Sequence, residues 1–293
     1  MAKSRPLAST GHVATYIPAL GRADPRRLGI SVAAGEELYQ AGDVEAPFTL
    51  QSIAKLFALI VALIERGADA VFSKVGMEPT GDPFHSIIKL ETVEPTKPLN
   101  PMINAGAIAV CDLVPGADAA ERIGRILDRV RRICGNPAIE IDRESYLSEK
   151  ETGHRNRAIA HYLKAAGVLE GDVDMVLDVY FQQCAISVTT ADLARAGAVL
   201  ASRNPDEALV PRWVARQVKA FMVTCGMYNA SGEFAIRVGI PAKSGVSGAI
   251  LACVPERGIG VGVIGPALDP KGNSVAGVHL LEALAAAMDW CMF

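Results

Sequence analysis

The chain has 293 residues, 50% of them hydrophobic and 21% charged, with a formal net charge of -3. That is enough apolar material for a sizeable core in one or two domains, since domains rarely exceed about 250–300 residues. No basic block appears, which argues against a nucleic-acid partner, and the longest apolar runs, near residues 56–64 and 280–288, fall short of the about 20 residues a bilayer span needs.

The opening Met1 to Leu7 carries charges with no apolar stretch after them, so it does not read as a secretory signal. Residues 1–27 read as an entry arm with a short helix near Gly11 to Leu20. Gly29 to Val32 and Glu37 to Gln40 read as two strands joined by a turn at Ala33 to Glu36, and Gly42-Asp43 as a further turn. Phe48 to Leu50 leads into a helix. There Ile53, Leu56, Ile60, Leu63 and Ile64 recur at the spacing of a buried helical face. Gly67 suits a left-handed stop and Arg66 the negative end of the helix dipole.

Ser52 and Lys55 stand at the head of that helix, three residues apart and so on one face. The first turn of a helix presents backbone N–H groups without helical partners. A serine is a poor nucleophile until a neighbour takes its proton, and a lysine can do so if burial lowers its pKa. Ser-x-x-Lys alone is weak, arising by chance about once in a chain of this length. Ser86-Ile87-Ile88-Lys89 is such a second copy, followed by Glu91, Glu94, Pro95 and Pro98 and not by an apolar helix. Taken alone, Ser52 reads as a helix-terminal serine with a lysine reaching solvent.

Residues 68–101, rich in Pro and Gly, read as a long ordered loop of the kind that carries function. From residue 102 to about 225 the pattern is helical: Met102 to Val114, Ala119 to Cys134, a helix capped by Asp142 to Ser145, then Asn156 to Ala166, Asp172 to Gln183, Thr190 to Ser202 and Pro211 to Thr224. Arg122, Arg125, Arg129 and Arg132 fall on the expected wet side of the second. Thr190-Ala191-Asp192 has the form of a helix entrance. After residue 226, Glu233 to Val238, Ser247 to Val254 and Gly258 to Ile264 read as consecutive antiparallel strands, and Ser274 to Trp290 as a closing helix. Strands at both ends with helices between predict an α+β fold. One catalytic domain over residues 1–293 is expected, with the sheet from about 25–50 and 230–293 and a helical lobe from about 55–225.

The six cysteines, at 111, 134, 184, 225, 253 and 291, form no Cys-x-x-Cys and read as reduced core residues of a cytoplasmic protein. The five histidines lack metal-ligand spacing, so no metal is expected. Lys243-Ser244-Gly245 opens a strand through small residues that admit another backbone. A Lys-Ser-Gly strand facing a Ser-x-x-Lys helix is the arrangement of penicilloyl-serine enzymes. Asn104 begins an apolar helix, where it serves equally as a cap or as an amide for a substrate. Glu149 and Asn156 lie in a charged stretch of solvated character. Tyr180 and Tyr228 sit in segments that otherwise read as core.

Taken in order, Leu50 to Lys55, Glu78 to Phe84, Asn100 to Ala107, Ser148-Glu149, Arg155-Asn156, Val179 to Gln182, Gly226 to Tyr228, Gly239 to Val246 and Gly272 to Val275 closely resemble the serine-dependent glutaminase family. The resemblance runs from about Tyr16 to the C-terminus. It implies a β-lactamase-like fold and cofactor-free hydrolysis of L-glutamine to L-glutamate and ammonia through a γ-glutamyl-serine intermediate. By motif position, Ser52 is the implied nucleophile, Lys55 its base and Tyr228 a proton relay. The N–H groups of Ser52 and Val246 are the implied oxyanion hole. Asn104, Glu149, Asn156 and Tyr180 are implied to hold the substrate, and Tyr16 to line the pocket. The family also implies a homo-oligomer, a dimer or tetramer. Asn229, Ser247 and Ala249 depart from the family pattern. Two other readings use the same residues: a penicillin-interactive or esterase-type acyl hydrolase built on Ser52, Lys55 and Lys243, and a non-catalytic glutamine-binding protein.

Overall fold

The computed structural model describes residues 1–92, 96–203, 206–255 and 257–293. Glu94 and Pro95, counted above in the long loop, lie outside the described residues. The chain enters through 3-10 turns at Arg5–Thr10 and Leu20–Arg22. The helix expected between Gly11 and Leu20 does not form. His12 N donates to Leu268 O (3.0 Å) and Leu268 N to His12 O (2.9 Å), so strand-like pairing takes the backbone groups that a helix would need.

Strands β1 (Gly29–Ala34) and β2 (Glu37–Gly42) form a hairpin. Its turn is tighter than expected: Gly35 takes φ +62°, closing the hairpin in two residues, so Ala33 and Ala34 pair with Leu38 and Glu37. Then follow β3 (Phe48–Thr49), a 3-10 turn (Gln51–Ile53) and α1 (Ala54–Arg66). The expected loop is partly helical, with α2 (Ala68–Lys74) and α3 (Ile88–Thr92). The helical stretch holds α4 (Asn104–Leu113), α5 (Ala119–Cys134), β4 (Glu140–Ile141), α6 (Arg143–Thr152), α7 (His154–Ala165) and α8 (Val173–Cys184). It continues through β5 (Ile186–Val188), α9 (Thr190–Ala201) and α10 (Arg212–Cys225). The C-terminal part contains α11 (Ser231–Arg237), β6 (Ala242–Ser244), β7 (Ala249–Val254), β8 (Ile259–Ile264) and α12 (Val275–Met288).

Helix entrances follow side-chain chemistry. Asp118, Asp142 and Asp172 each accept from a backbone N–H three residues on. Thr189, one residue before the expected entrance, forms a reciprocal capping box with Asp192. Two expectations fail for tertiary reasons. Glu233 to Val238 falls largely in α11, because Phe234 and Val238, four apart, are buried while Ile236 between them is 88% exposed. On α5, Arg122 pairs with Asp112 (3.3 Å), and buried Arg129 donates to Leu209 O, so neither sits on a wet face.

The main sheet runs β2-β1-β8-β7-β6, all antiparallel, joining both chain ends as expected; a small second sheet is β3-β5-β4. Helix α9 covers one face of the main sheet, and Thr190 Oγ1 meets Ser31 Oγ at 2.7 Å. Leu280, Leu281 and Phe234 pack with Ile30, Ile250 and Val263 on the other. Within the lobe, every residue of α1 from Ala54 to Leu63 is buried, with α4, α5, α8 and α10 around it. A helix apolar all round must lie inside, and its N-terminus reaches the junction with the sheet.

Candidate functional site

Ser52 sits in the 3-10 turn just ahead of α1, half a step earlier than a first α-helical turn. Gln51 before it holds φ +48°, a left-handed conformation unusual for a residue with a side chain and often found at functional turns. Gly245, just past β6, explains how the sheet comes so close. A Cβ there would stand 2.6 Å from Leu50 O, so only glycine lets the strand exit lie against the Ser52 turn. Val246 follows and lines the same cleft.

Lys55 does not reach solvent. It is 1% exposed, and Nζ donates to Met102 O (3.0 Å) and Asn104 Oδ1 (2.7 Å). Asn104 Nδ2 in turn donates to Asn156 Oδ1 (2.9 Å). The second Ser-x-x-Lys copy behaves otherwise, with Lys89 exposed on α3. What separates the two is the apolar helix behind Ser52.

Ser52, Asn104, Glu149, Asn156, Tyr180, Val246 and Tyr16 line one cleft of about 360 Å³ between the lobe and the sheet. Tyr228 adjoins it: the phenol donates to Ser244 O (3.2 Å), and Ser52 is among the groups that shift its titration. Tyr228, too, has a left-handed backbone, φ +53°. The Lys243-Ser244-Gly245 segment lies against the serine turn, as expected of a strand facing that helix. The Lys243 side chain is fully buried against the Tyr228 ring.

The sequence reading passed over other residues of this cleft. Gln51, Phe84, His85, Arg155 and Cys184 also line it. Cys184 read as plain core, yet it lines the cleft and, like Gln51, is among the groups that lower the Glu149 titration. Phe84 lies in a quoted motif, and its role needs the fold: Asn104 N donates to Phe84 O (2.9 Å), and the Phe84 and Tyr228 rings stand 4.7 Å apart. Asn229, a departure from the family pattern, anchors the Tyr228 turn to the loop through Gly81 O (3.0 Å).

Burial dominates the electrostatics. It draws Lys55 down from 10.5 to about 8, opposed by Cys184, Glu149 and Cys111. It pushes Glu149 up from 4.5 to about 8, against the lowering effect of the Lys55 charge and of Gln51 and Cys184 beside it. Burial also raises the Tyr228 phenol, while Ser52 lowers it. Glu149 is 6% exposed, and its Oε2 accepts no hydrogen bond among the described residues. A buried carboxylate oxygen with unused capacity, facing a cleft, is suited to a cation. A hydroxyl, a buried low-pKa amine three residues on and a phenol adjoining the same cleft are suited to acyl transfer.

Comparison with known proteins agrees. A glutaminase of Clostridium botulinum (strain Loch Maree / Type A3) is 55% identical over 295 residues, covering 99% of this chain and 96% of its own. The structure of a probable glutaminase of Bacillus subtilis matches with a TM-score of 0.92 at 41% identity, covering 100% of this chain and 95% of that one. The probable glutaminase from Bacillus subtilis complexed with 6-diazo-5-oxo-L-norleucine matches with a TM-score of 0.90 at 41% identity, covering 100% and 94%. The fold is thus the expected β-lactamase-like α+β arrangement. The family model described as Glutaminase matches residues 11–293, so that, on sequence and fold together, the chain belongs to the glutaminase family.

Proposed function

We propose that this chain, an amidohydrolase by its family, hydrolyses the γ-amide of L-glutamine through a γ-glutamyl ester on Ser52. The observation that carries the reading is Ser52 at the head of a helix beside the fully buried Lys55, at one cleft with Glu149 and with the Tyr228 phenol adjoining. Glu149 pairs with the substrate α-ammonium. Asn156, its Oδ1 engaged by Asn104, offers its amide nitrogen to the α-carboxylate. Tyr180 packs against the amino-acid end from α8.

Ser52 Oγ attacks the γ-carbonyl carbon as its proton passes to Lys55, with Tyr228 relaying. The N–H groups of Ser52 and Val246 take the oxyanion; losing one such donor typically costs about 10²–10³ in rate. The amide nitrogen is protonated and leaves as ammonia. Water then attacks the ester, the same groups handle its proton, and glutamate departs. The lobe supplies the nucleophile and the sheet supplies Val246, which supports the whole chain acting as one catalytic domain. The family resemblance supports a homo-oligomer, dimer or tetramer, working in the cytoplasm. No helix among the described residues is long and apolar enough to cross a membrane.

The test is mass spectrometry after treatment with 6-diazo-5-oxo-L-norleucine, the glutamine analogue held by the Bacillus subtilis relative. The expected adduct lies on the Ser52 peptide. Labelling at another residue, with turnover lost, would overturn the assignment. A pH profile gives an independent check. Lys55 accepts a proton only when neutral, and Glu149 binds an ammonium only when charged. Both conditions are met as pH rises through about 8. So kcat/KM is expected to climb from pH 6 through 8 and to level above about pH 9; a flat profile over that range would count against both roles.

A further inference from the structure

Behind the turn that carries Tyr228 lies a second cavity, of about 230 Å³, between α11 and the start of α12. Met227, Phe234, Val238 and Val278 make its walls largely apolar. It shares no lining residue with the cleft of Ser52. One buried polar atom there lacks a partner. Asn273 is 1% exposed, and its Nδ2 donates to Met227 O (3.2 Å). That bond fixes the amide, since the flipped group would set two acceptors face to face. Its Oδ1 then accepts no hydrogen bond among the described residues. A buried acceptor without a donor is costly to keep, so the cavity suits a ligand that donates.

The charges around it narrow the choice. Glu233 is already paired with Arg237 (3.1 Å) and Lys271 (3.0 Å), and Arg237 also reaches Glu282 (2.6 Å). His279 Nδ1 is engaged with Ser4 Oγ (3.0 Å). Asp269 is the exception. Its Oδ1 accepts from Lys271 N (2.8 Å) and Asn273 N (3.0 Å), closing a turn that brings Asp269 and Asn273 to one cavity. The carboxylate has no ion pair among the described residues. A carboxylate that lacks a cation and a buried carbonyl that lacks a donor, in a chamber with apolar walls, match a charged donor on a short hydrocarbon body. The size agrees, since an apolar cavity of about 150 Å³ accepts a benzene-sized guest.

We infer that this cavity binds a small organic primary ammonium: its N–H groups donate to Asn273 Oδ1 and to the Asp269 carboxylate, and its hydrocarbon part lies against Met227, Phe234, Val238 and Val278. An anion of the same size is repelled by Asp269. A bare ammonium ion leaves the apolar walls unused. The inference does not depend on the reaction proposed for the Ser52 cleft, where the ammonium partner is Glu149 and not Asp269.

The test is calorimetric titration of the full chain with n-butylammonium chloride, ammonium chloride and sodium butyrate. The alkylammonium is expected to saturate the site with a Kd of about 1 mM, an ordinary value for five heavy atoms. Ammonium chloride is expected to bind at least about tenfold more weakly, because each buried methylene adds affinity, and butyrate not at all. Asp269→Asn keeps an oxygen for the two N–H groups of the turn and loses the charge. It is expected to weaken n-butylammonium at least about tenfold. Glu149→Gln is expected to leave that Kd within about twofold, which separates the cavity from the cleft. Equal affinity for ammonium chloride would make the reaction's own ammonium the occupant and overturn the organic assignment. Binding unchanged in Asp269→Asn, binding lost in Glu149→Gln, or butyrate bound as tightly as n-butylammonium would overturn the site itself. So would the lack of saturable heat up to about 20 mM. Should Asp269→Asn melt early, Val278→Phe fills the cavity from α12. Binding of n-butylammonium is expected to vanish in that variant, and its retention there would overturn the inference as well.

Discussion

Ser52→Ala is expected to lower kcat for glutamine by about 10⁴-fold or more, the scale of losing a nucleophile whose partners act only through it. Binding is expected to survive. Glu149, Asn156 and Tyr180 line the cleft independently of the hydroxyl, and alanine suits the helical geometry at this turn. Calorimetric titration of glutamine or glutamate into the variant is therefore expected to show affinity within a few-fold of the wild type. Ammonia release at a rate near wild type would dismiss the ester intermediate. Lost binding together with lost activity would show that the change had collapsed the turn. The variant also separates the enzyme from a glutamine-binding protein, because a binder would be indifferent to the hydroxyl's loss and would show no turnover to lose.

Glu149→Gln is expected to move stability and activity in opposite directions. The folded carboxyl titrates near 8 and the unfolded one near 4.5. A folded pKa raised in this way contributes stability that is fully present below pH 4.5 and is lost as pH rises through 8. The glutamine amide resembles the neutral form and carries no such loss. At pH 8.5 the variant is expected to be more stable by on the order of 2 kcal/mol, a rise of several degrees in Tm. At pH 4 the two proteins are expected to melt close together. An unchanged difference between the two pH values would refute the buried, raised carboxyl. In the same variant kcat/KM is expected to fall about 10²–10³-fold, mostly through KM, because a buried charge partner of the ammonium is gone. The site thus holds a group that the fold alone would reject, the usual trade between stability and function.

Much of the architecture could be read before any coordinates. Apolar periodicity marked α1, α4, α8 and α9 to within about two residues, because a helix packed on its neighbours must repeat its apolar positions. An acidic cap marked the entrance of α6, since a side chain three residues from an N–H is a local matter. Where the reading failed, distant partners decided. The entry arm pairs with Leu268, more than 250 positions on, and α11 buries Phe234 and Val238 against a sheet and helix that no local window includes. Arg129 looked wet from its own helix and is buried by the carbonyls of Ala208 and Leu209.

By itself the sequence determined the family, the chemistry-bearing residue types and their order, because motif segments are contiguous and survive without knowledge of packing. Ser52, Lys55, Asn104, Glu149, Asn156, Tyr180, Tyr228 and Val246 are all in that set. Only the tertiary structure decided what state they are in. Ser52-Ile53-Ala54-Lys55 and Ser86-Ile87-Ile88-Lys89 share a pattern, yet burial gives one lysine a titration near 8 and leaves the other in water. Burial is the removal of solvent by residues from all over the chain, a long-range quantity that no spacing encodes. The same holds for Lys243, whose motif was visible but whose seat beneath Tyr228 exists only once β6 and the end of α10 meet.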